Sequence, residues 1–171
     1  KNKNIKLIHG KPMISWVIQI LKLSNVFDDI IVSTDSNKIA KIAIKNGATV
    51  PFIRSKKLSG PKIPTDIVIG DVIKKLKNNK QNKYICCVYP TAILIHISDL
   101  KKGYKKLIKN NLDYVFSATQ YEKSVIRAFY LKDNYTKPII RNSNYYRSQD
   151  LVNTYYDSAQ FYWGTRNVWL N

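Results

Sequence analysis

Short apolar runs alternate with helical apolar patterns over the first two thirds of the chain. The run from Ile30 to Val32 is β-branched, which is typical of a buried strand in a parallel sheet. Similar runs return at 84–89 and 114–118, each after a stretch in which apolar residues recur every three or four positions. Strands and helices in alternation build a sheet with helices on both faces. The sequence therefore predicts an α/β fold with a doubly wound, mostly parallel sheet.

Turn and capping residues divide the helical patterns. Pro12 stands where a first helical turn tolerates proline, and Asn46-Gly47 suits a left-handed helix end. Short polar side chains that accept backbone hydrogen bonds predict three further helix starts. They lie at Thr34-Asp35-Ser36, Thr65-Asp66 and Ser98-Asp99. Four helices are therefore expected, with a strand at 49–53 between the second and the third.

The alternation breaks after Thr119. Runs at 125–131 and 139–140 have strand character but lie outside the pattern, which resumes with a strand from Gln160 to Trp163. We expect the residues of about 122–157 to leave the sheet as a small β excursion. Because the chain has 171 residues and neither linker nor repeat, 1–171 is interpreted as one domain.

The formal net charge of +18 is the extreme value of the composition. Of the 29 basic residues, 24 are Lys, and they are scattered over every predicted helix. Scattered charge favours a solvated surface over a specific nucleic-acid interface. A basic nucleic-acid-binding module stays an alternative, and non-specific polyanion binding at low salt remains plausible.

The apolar residues indicate a soluble, cytoplasmic protein without a membrane partner. No apolar run approaches the roughly 20 residues of a membrane span, and no charged-then-apolar leader is seen. Cys86 and Cys87 are adjacent in an apolar run and have no second pair that would complete a metal site. They are interpreted as reduced core residues.

Candidate site residues follow the predicted strands, because ligands of α/β sheets bind beyond the carboxyl ends of the strands. Arg54 could meet a phosphate, with a surface ion pair equally plausible. Pro90 fixes the backbone after Tyr89 and would turn the Thr91 hydroxyl to a ligand, with a plain turn as the alternative. Asp35 could approach a metal or a ribose, although a helix cap is the more common role.

A polar cluster joined to an aromatic strand stands out near the end of the chain. Arg147 offers a planar fork of donors suited to a carboxylate. Gln149 and Gln160 each carry a donor and an acceptor for hydroxyl and amide groups. This stretch predicts an acidic, hydroxyl-rich ligand such as a sugar acid. The alternative is a salt bridge with ordinary surface amides.

Several ordered motifs resemble the CMP-sialic acid synthetase family, the acylneuraminate cytidylyltransferases. The first motif combines Lys3-Asn4-Ile5 with residues 9–14, and the others are residues 31–35, 50–54 and 89–92. The stretches 89–92, 115–119, 147–151 and 160–164 are most similar to the branch that acts on pseudaminic acid. The resemblance covers essentially the whole chain.

The resemblance implies a Rossmann-like nucleotide-diphospho-sugar transferase fold and a reaction of CTP with a nine-carbon sugar acid, giving CMP-sugar and pyrophosphate. It also implies Mg²⁺, and a homodimer formed through the excursion. The resemblance implies a catalytic role for Lys3 and Asn4. It implies that CTP is bound by Arg54, Tyr89, Pro90 and Thr91, and that the sugar-acid pocket contains Arg147, Gln149 and Gln160. Pseudaminic acid is the favoured substrate, and sialic, legionaminic or Kdo-type acids are alternatives.

The ends of the chain depart from the family pattern. The family's glycine-rich phosphate loop would precede Lys1, and its metal-holding Asp pair would follow Asn171, so the Mg²⁺ ligands are expected outside this chain. We therefore expect a fragment that lacks both ends and shows little or no turnover. A non-catalytic relative that only binds nucleotide is a further alternative.

Overall fold

The computed structural model describes residues 3–76, 83–142 and 145–171. Within these ranges the α-helices are α1 Met13–Ser24, α2 Asn37–Lys45, α3 Thr65–Lys75 and α4 Ile97–Lys109. Short 3-10 turns lie at Lys3–Ile5, Lys56–Leu58, Val125–Arg127 and Ser148–Asp150. The four predicted helices are confirmed. None of the helices in the described ranges has the length and apolar character to cross a membrane.

The strands of the described residues form three separate sheets. In chain order they are β1 Leu7–Ile8, β2 Lys11–Pro12, β3 Tyr84–Val88, β4 Tyr114–Gln120, β5 Phe129–Lys132, β6 Tyr135–Pro138 and β7 Tyr155–Thr165. The central sheet has the order β3-β7-β4, and two hairpins are formed by β1 with β2 and by β5 with β6. The predicted strands at 84–89, 114–118 and 160–163 all lie in the central sheet.

The pairing inside the central sheet is antiparallel, so the prediction of a mostly parallel sheet is wrong for these strands. β7 pairs with β3 in the register Tyr84↔Thr165 to Val88↔Phe161. On the other edge of β7, the amide of Thr165 donates to the carbonyl of Asp113 over 2.9 Å. Because β7 lies between β3 and β4, which both precede it in the chain, these two strands do not pair with each other. The apolar runs themselves carry no information about this insertion.

Parallel pairing does occur between the segments 30–34 and 49–54. The amide of Val32 donates to Thr49, the amide of Thr49 donates to Ile30, and isolated parallel bridges join Ile31 to Thr49 and Thr34 to Ile53. The predicted strands at these positions are thus reduced to short bridged segments. Their direction is the one that the alternation predicts.

The caps of the helices differ partly from the prediction. Ser36 caps α2, where its hydroxyl accepts from the amide of Ile39 over 3.4 Å, and Gly47 ends α2 with a φ of +87°. The residues before α3 and α4 are Pro64 and His96, and neither makes a side-chain cap. The predicted caps at 65–66 and 98–99 therefore lie inside the first helical turns. There the Asp carboxylates interact favourably with the positive end of the helix dipole instead.

The chain divides into two compact units. The first unit comprises Lys1–Ser117 with Ala159–Asn171, and the second comprises Ala118–Ser158. The core of the first unit joins α1, α4 and β7 through buried side chains that include Val17, Leu21, Leu100, Leu107, Phe161 and Trp163. A second cluster packs α1 on α2 with Ile14, Ile18, Ala43 and Ala48.

Gly103 allows the close approach of α4 to β7. A Cβ atom at this position would lie 2.9 Å from the ring of Phe161 and 3.0 Å from the ring of Trp163. The indole of Trp163 stacks on Phe27 at 5.2 Å with an interplanar angle of 6°, and it donates to the carbonyl of Leu100. The aromatic strand predicted from the sequence is therefore a core strand of the first unit.

The second unit contains the hairpin of β5 and β6, which pair from Phe129↔Pro138 to Lys132↔Tyr135. Asp133 and Asn134 form its turn with φ angles of 53° and 65°, as a two-residue hairpin turn requires. The predicted strand at 125–131 is a 3-10 turn followed by β5. The predicted strand at 139–140 falls just after β6. In the predicted excursion of 122–157, residues 143–144 lie outside the described ranges.

Candidate functional site

A cleft of about 700 Å³ opens within the first unit. This volume is in the range of small-molecule sites. Its floor is apolar and is formed mainly by side chains of α1, α3 and β3. Its polar lining includes Asn4, Ser33, Thr34, Asp35, Arg54 and Tyr89. Each of these polar residues lies in a segment that the sequence marks as a strand end, apart from Asn4.

Two contacts involve the strand ends that line the cleft. Arg54, which follows the segment 49–53, donates from Nη1 to the carbonyl of Ser33 over 3.3 Å. The hydroxyl of Tyr89, which follows β3, lies 3.2 Å from Oγ1 of Thr65 at the start of α3. The general rule that ligands bind at the carboxyl ends of strands therefore points to this cleft.

Neutral oxygens hold the guanidinium of Arg54. Its Nε donates to Oγ of Ser59 over 3.2 Å, and Nη1 also lies 3.4 Å from Oγ of Ser33. The ion pairs of the described residues do not include Arg54, so the surface ion pair is not observed. A half-buried cation with only neutral partners is suited to an anionic or carbonyl ligand.

Asn4 lines the same cleft and carries an unsatisfied side-chain oxygen. Its Oδ1 is buried and has no hydrogen-bond partner among the described residues. An unsatisfied buried acceptor costs about 1–3 kcal/mol, and a donor on a ligand would remove this cost. The neighbouring Lys3 is exposed, lies in the 3-10 turn Lys3–Ile5 and does not line the cleft. The structure therefore brings Asn4, but not Lys3, to the cleft.

The stretch from Tyr89 to Thr91 contributes its first two residues to the cleft. Tyr89 and Pro90 line it, whereas Thr91 is exposed and does not. The amide of Ala92 donates to the carbonyl of Tyr89 over 2.9 Å, so the stretch is also a turn. The Tyr89 ring meets the Tyr162 ring at 5.5 Å and 64°. The stretch is therefore a turn, and the ligand contact of the Thr91 hydroxyl stays a prediction.

The predicted sugar-acid residues belong to different units. Arg147 and Gln149 lie in the second unit and are exposed, and Nε of Arg147 donates to Oδ2 of Asp150 over 3.0 Å. An exposed pair of this kind contributes little to stability. Gln160 lies in the first unit, where its carbonyl accepts from the amide of Tyr89 over 3.3 Å. Gln160 is therefore a direct neighbour of the Tyr89 backbone.

Asp35 and the carboxylates do not form a metal site in the part of the chain that the structure describes. Asp35 is exposed at the cleft and is not the cap of α2, because Ser36 has that role. Within the described ranges, no group of three His, Cys, Asp or Glu side chains could hold a metal ion. The described residues therefore contain no cluster of three protein ligands for the Mg²⁺ that the resemblance implies.

Two site residues were missed by sequence reasoning. Ser59 contacts Arg54, and Thr65 contacts Tyr89 across 24 positions of the chain. The sequence predicts a helix cap at Thr65, and it places Ser59 in a loop without a distinguishing motif. No local pattern marks either hydroxyl, because each finds its partner only when the loop between 54 and 65 is folded.

The two cysteines lie on β3 as free thiols and line the apolar part of the cleft. Burial raises the pKa of the Cys87 thiol to about 12. Burial also raises the pKa of Cys86 well above its usual value, with a further rise from the charge of Cys87 and an opposing effect of a backbone hydrogen bond from Tyr162. Both thiols are therefore protonated at neutral pH.

We expect both thiols of the folded protein to react slowly with a disulfide reagent at pH 8. The thiolate is the reactive form, and a raised pKa keeps its fraction small, so labelling should be more than about tenfold slower than in the unfolded chain. The absorbance of the released thiol measures the rate, with the same protein in denaturant as control. Equal rates in the two states would contradict the protonated, buried thiols.

Known proteins are similar to the chain in sequence and in fold. The sequence profile of a family described as Cytidylyltransferase matches residues 1–168. The chain is 38% identical over 170 residues to a pseudaminic acid cytidylyltransferase of Campylobacter jejuni subsp. jejuni serotype O:2, covering 98% of this chain and 73% of that protein. It is 32% identical over 165 residues, 96% of this chain and 32% of the relative, to a Helicobacter pylori protein described as pseudaminic acid cytidylyltransferase and UDP-2,4-diacetamido-2,4,6-trideoxy-beta-L-altropyranose hydrolase.

A solved structure has the same α/β fold. The CMP:2-keto-3-deoxy-manno-octonic acid synthetase complexed with CTP superposes with a TM-score of 0.72. The match covers 99% of this chain and 69% of that one, at 16% identity. At this identity the likeness establishes the fold alone.

Proposed function

The chain belongs to the cytidylyltransferase family, and we propose that it activates a nine-carbon sugar acid with CTP, pseudaminic acid being preferred. The observation that carries this proposal is the identity of 38% to a pseudaminic acid cytidylyltransferase over 98% of the chain. Sialic or legionaminic acid is the alternative substrate. The proposed product is a CMP-sugar, and the enzyme is then a CTP-dependent nucleotidyltransferase.

In the proposed reaction, the anomeric hydroxyl oxygen of the sugar acid attacks the α-phosphorus of CTP. A new bond joins this oxygen to the α-phosphorus, the bond from the α-phosphorus to the bridging oxygen breaks, and pyrophosphate leaves. The hydroxyl proton passes to solvent. Positioning and electrostatic stabilisation carry most of such a transfer. When bound, Mg²⁺ would neutralise charge on the phosphates, and the roles proposed below belong to residues of this chain.

On the nucleotide side we propose Arg54, Tyr89, Pro90 and Thr91 as CTP contacts. Arg54 uses Nε and Nη1 for Ser59 and Ser33, while Nη2 makes no hydrogen bond within the described ranges. Nη2 is thus available for a phosphate or for the carbonyl of a base. Thr91 is the weakest of these assignments because its side chain lies outside the cleft.

We propose the catalytic role for Asn4 and Lys3. The unpartnered Oδ1 of Asn4 supports a contact with a donor on the nucleotide, such as a ribose hydroxyl or the amino group of cytosine. Its side-chain NH₂ group is then available to an acceptor. Lys3 is exposed beside it, and the positive charge of its long side chain is suited to the triphosphate.

On the sugar side we propose Arg147 as the carboxylate contact, with Gln149 and Gln160 as contacts for hydroxyl and amide groups. The Arg147 guanidinium already holds one carboxylate, that of Asp150, in an exposed pair. Asp150 accepts from Nε alone, and a ligand carboxylate that replaces it could use two donors of the planar fork. Gln160 is held by its backbone beside Tyr89, which supports a side chain of defined position.

We also propose a cytoplasmic homodimer built from one nucleotidyltransferase domain, residues 1–171, with the excursion of about 122–157 as the dimer contact. The hairpin supports this proposal, because Phe129 and Leu131 share one of its faces and are 61% and 72% exposed. Exposed apolar side chains that cluster in this way are typical of interaction surfaces.

The function is tested by binding and product formation in parallel. We expect calorimetry to detect CTP binding. Because little turnover is expected of residues 1–171, mass spectrometry compares the CMP-sugar formed from pseudaminic, N-acetylneuraminic and legionaminic acids, each supplied with CTP and Mg²⁺, and any product should be largest with pseudaminic acid. UTP serves as control nucleotide. Equal rates with the three acids would defeat the choice of pseudaminic acid. A protein that binds neither nucleotide would defeat the cytidylyltransferase assignment.

A further inference from the structure

The loop between Arg54 and α3 places a hydroxyl against the guanidinium. We propose that Ser59 is a positioning residue that orders Arg54 before CTP binds. This inference rests on the proposed function, since it gives Arg54 its nucleotide. Ser59 itself does not contact the reacting atoms in this proposal. It acts through Arg54 alone.

The hydrogen bonds of Ser59 determine which way its oxygen faces. Its hydroxyl donates to the carbonyl of Ser55 over 2.9 Å, and the same oxygen accepts from Nε of Arg54 over 3.2 Å. Because the only proton of the hydroxyl is used on Ser55, its lone pairs are left for Arg54. An alanine at this position would remove both bonds.

The loop holds Ser59 independently of Arg54. The amide of Ser59 donates to the carbonyl of Lys56 over 3.1 Å, and the amide of Leu58 donates to Ser55 over 3.1 Å. These bonds close the 3-10 turn Lys56–Leu58. Ser59 is therefore a preformed acceptor rather than a residue that follows the arginine.

Ser33 accepts hydrogen bonds from a second nitrogen of the guanidinium, Nη1. Its carbonyl and hydroxyl lie 3.3 Å and 3.4 Å from Nη1 of Arg54. With Nε and Nη1 both engaged, the planar guanidinium is held in one orientation. A ligand then finds the donor already ordered and does not have to immobilise a flexible side chain.

The experiment compares CTP affinity in a double-mutant cycle. We expect Ser59→Ala to weaken CTP binding by about 2- to 12-fold, the range for one side chain that must be immobilised on binding. In the background of Arg54→Ala, the same substitution should have almost no effect, because the residue that it positions is absent. Ser59→Thr keeps the hydroxyl and should restore most of the affinity.

Ser55→Ala is the matched control. It removes a hydroxyl from the same loop, and the Ser55 side chain makes no cap hydrogen bond. Affinity should stay at the wild-type value. Where turnover is measured, Ser59→Ala should raise the KM for CTP and leave kcat nearly unchanged, since the lost interaction orders the ground state and the transition state alike.

A second readout does not need CTP. The Nε–H proton of Arg54 should exchange slowly with water in the wild type and in Ser59→Thr, and quickly in Ser59→Ala, as followed by nuclear magnetic resonance. An equal loss of affinity in both cycle backgrounds would overturn the proposal, because Ser59 would then act without Arg54. Fast exchange without loss of affinity would overturn it as well. A wild type with slow exchange but no CTP binding would instead defeat the proposed function and, with it, the role in nucleotide recognition.

Discussion

Replacing Trp163 with alanine is expected to lower the free energy of unfolding by about 3–5 kcal/mol. The side chain is 2% exposed and packs between Phe27, Tyr104 and the helix at Gly103. Its removal leaves a cavity at the centre of the first unit, and it takes the donor away from the carbonyl of Leu100. Both effects have the same sign, so no compensation is expected.

Urea denaturation followed by circular dichroism measures the effect without relying on tryptophan fluorescence. Trp163→Phe should cost less, because an aromatic ring remains to stack on Phe27. Leu94→Ala is the control, since Leu94 is an apolar side chain that is 78% exposed. It should change stability by less than about 0.5 kcal/mol. A loss below about 1 kcal/mol for Trp163→Ala would mean that the core is not built around this residue.

Replacing Arg54 with alanine is expected to weaken CTP binding by about 10- to 100-fold. A hydrogen bond to a charged group contributes about 1.5–3 kcal/mol, which corresponds to this range. The stability of the protein should fall little by comparison, because the partners that Arg54 leaves behind are two serines at the cleft. Calorimetric titration with CTP measures the change.

Two substitutions separate the role of Arg54 from its charge. Arg54→Lys keeps the charge but loses the planar fork, so its affinity should lie between those of wild type and Arg54→Ala. Lys57→Ala removes a positive charge from the adjacent 3-10 turn, where Lys57 is exposed, and should change affinity by less than about twofold. If Lys57→Ala weakened binding as much as Arg54→Ala, the general positive field rather than a specific contact would bind CTP.

The helices could be predicted from the sequence because their signals are local. Apolar residues one helical turn apart mark α1 to α4, and the Asn46-Gly47 pair ends α2 as expected. The starts of α3 and α4 were displaced by one or two residues. At those starts an Asp in the first turn looks in the sequence like a cap, although Pro64 and His96 occupy the cap positions.

The arrangement of the sheet could not be predicted from the same signals. A run such as Tyr84 to Val88 predicts a buried strand, but its partner β7 lies more than 70 positions away. Which neighbour it takes, and in which direction, depends on how α4 and β7 pack through Phe161 and Trp163. The antiparallel insertion of β7 therefore replaced the parallel order that the alternation predicted.

For the candidate site, the sequence by itself determined which positions lie at strand ends and which chemistry they carry. Arg54 and Tyr89 could be placed in this way because ligand positions in α/β folds follow from chain direction. The family motifs are likewise a property of the sequence alone. Only the tertiary structure decided that Asn4 lines the cleft and carries an unpaired oxygen, and that Ser59 and Thr65 contact Arg54 and Tyr89. The physical reason is that hydrogen bonds of side chains depend on distances of a few ångströms between segments far apart in the chain, whereas periodicity reports only on neighbours.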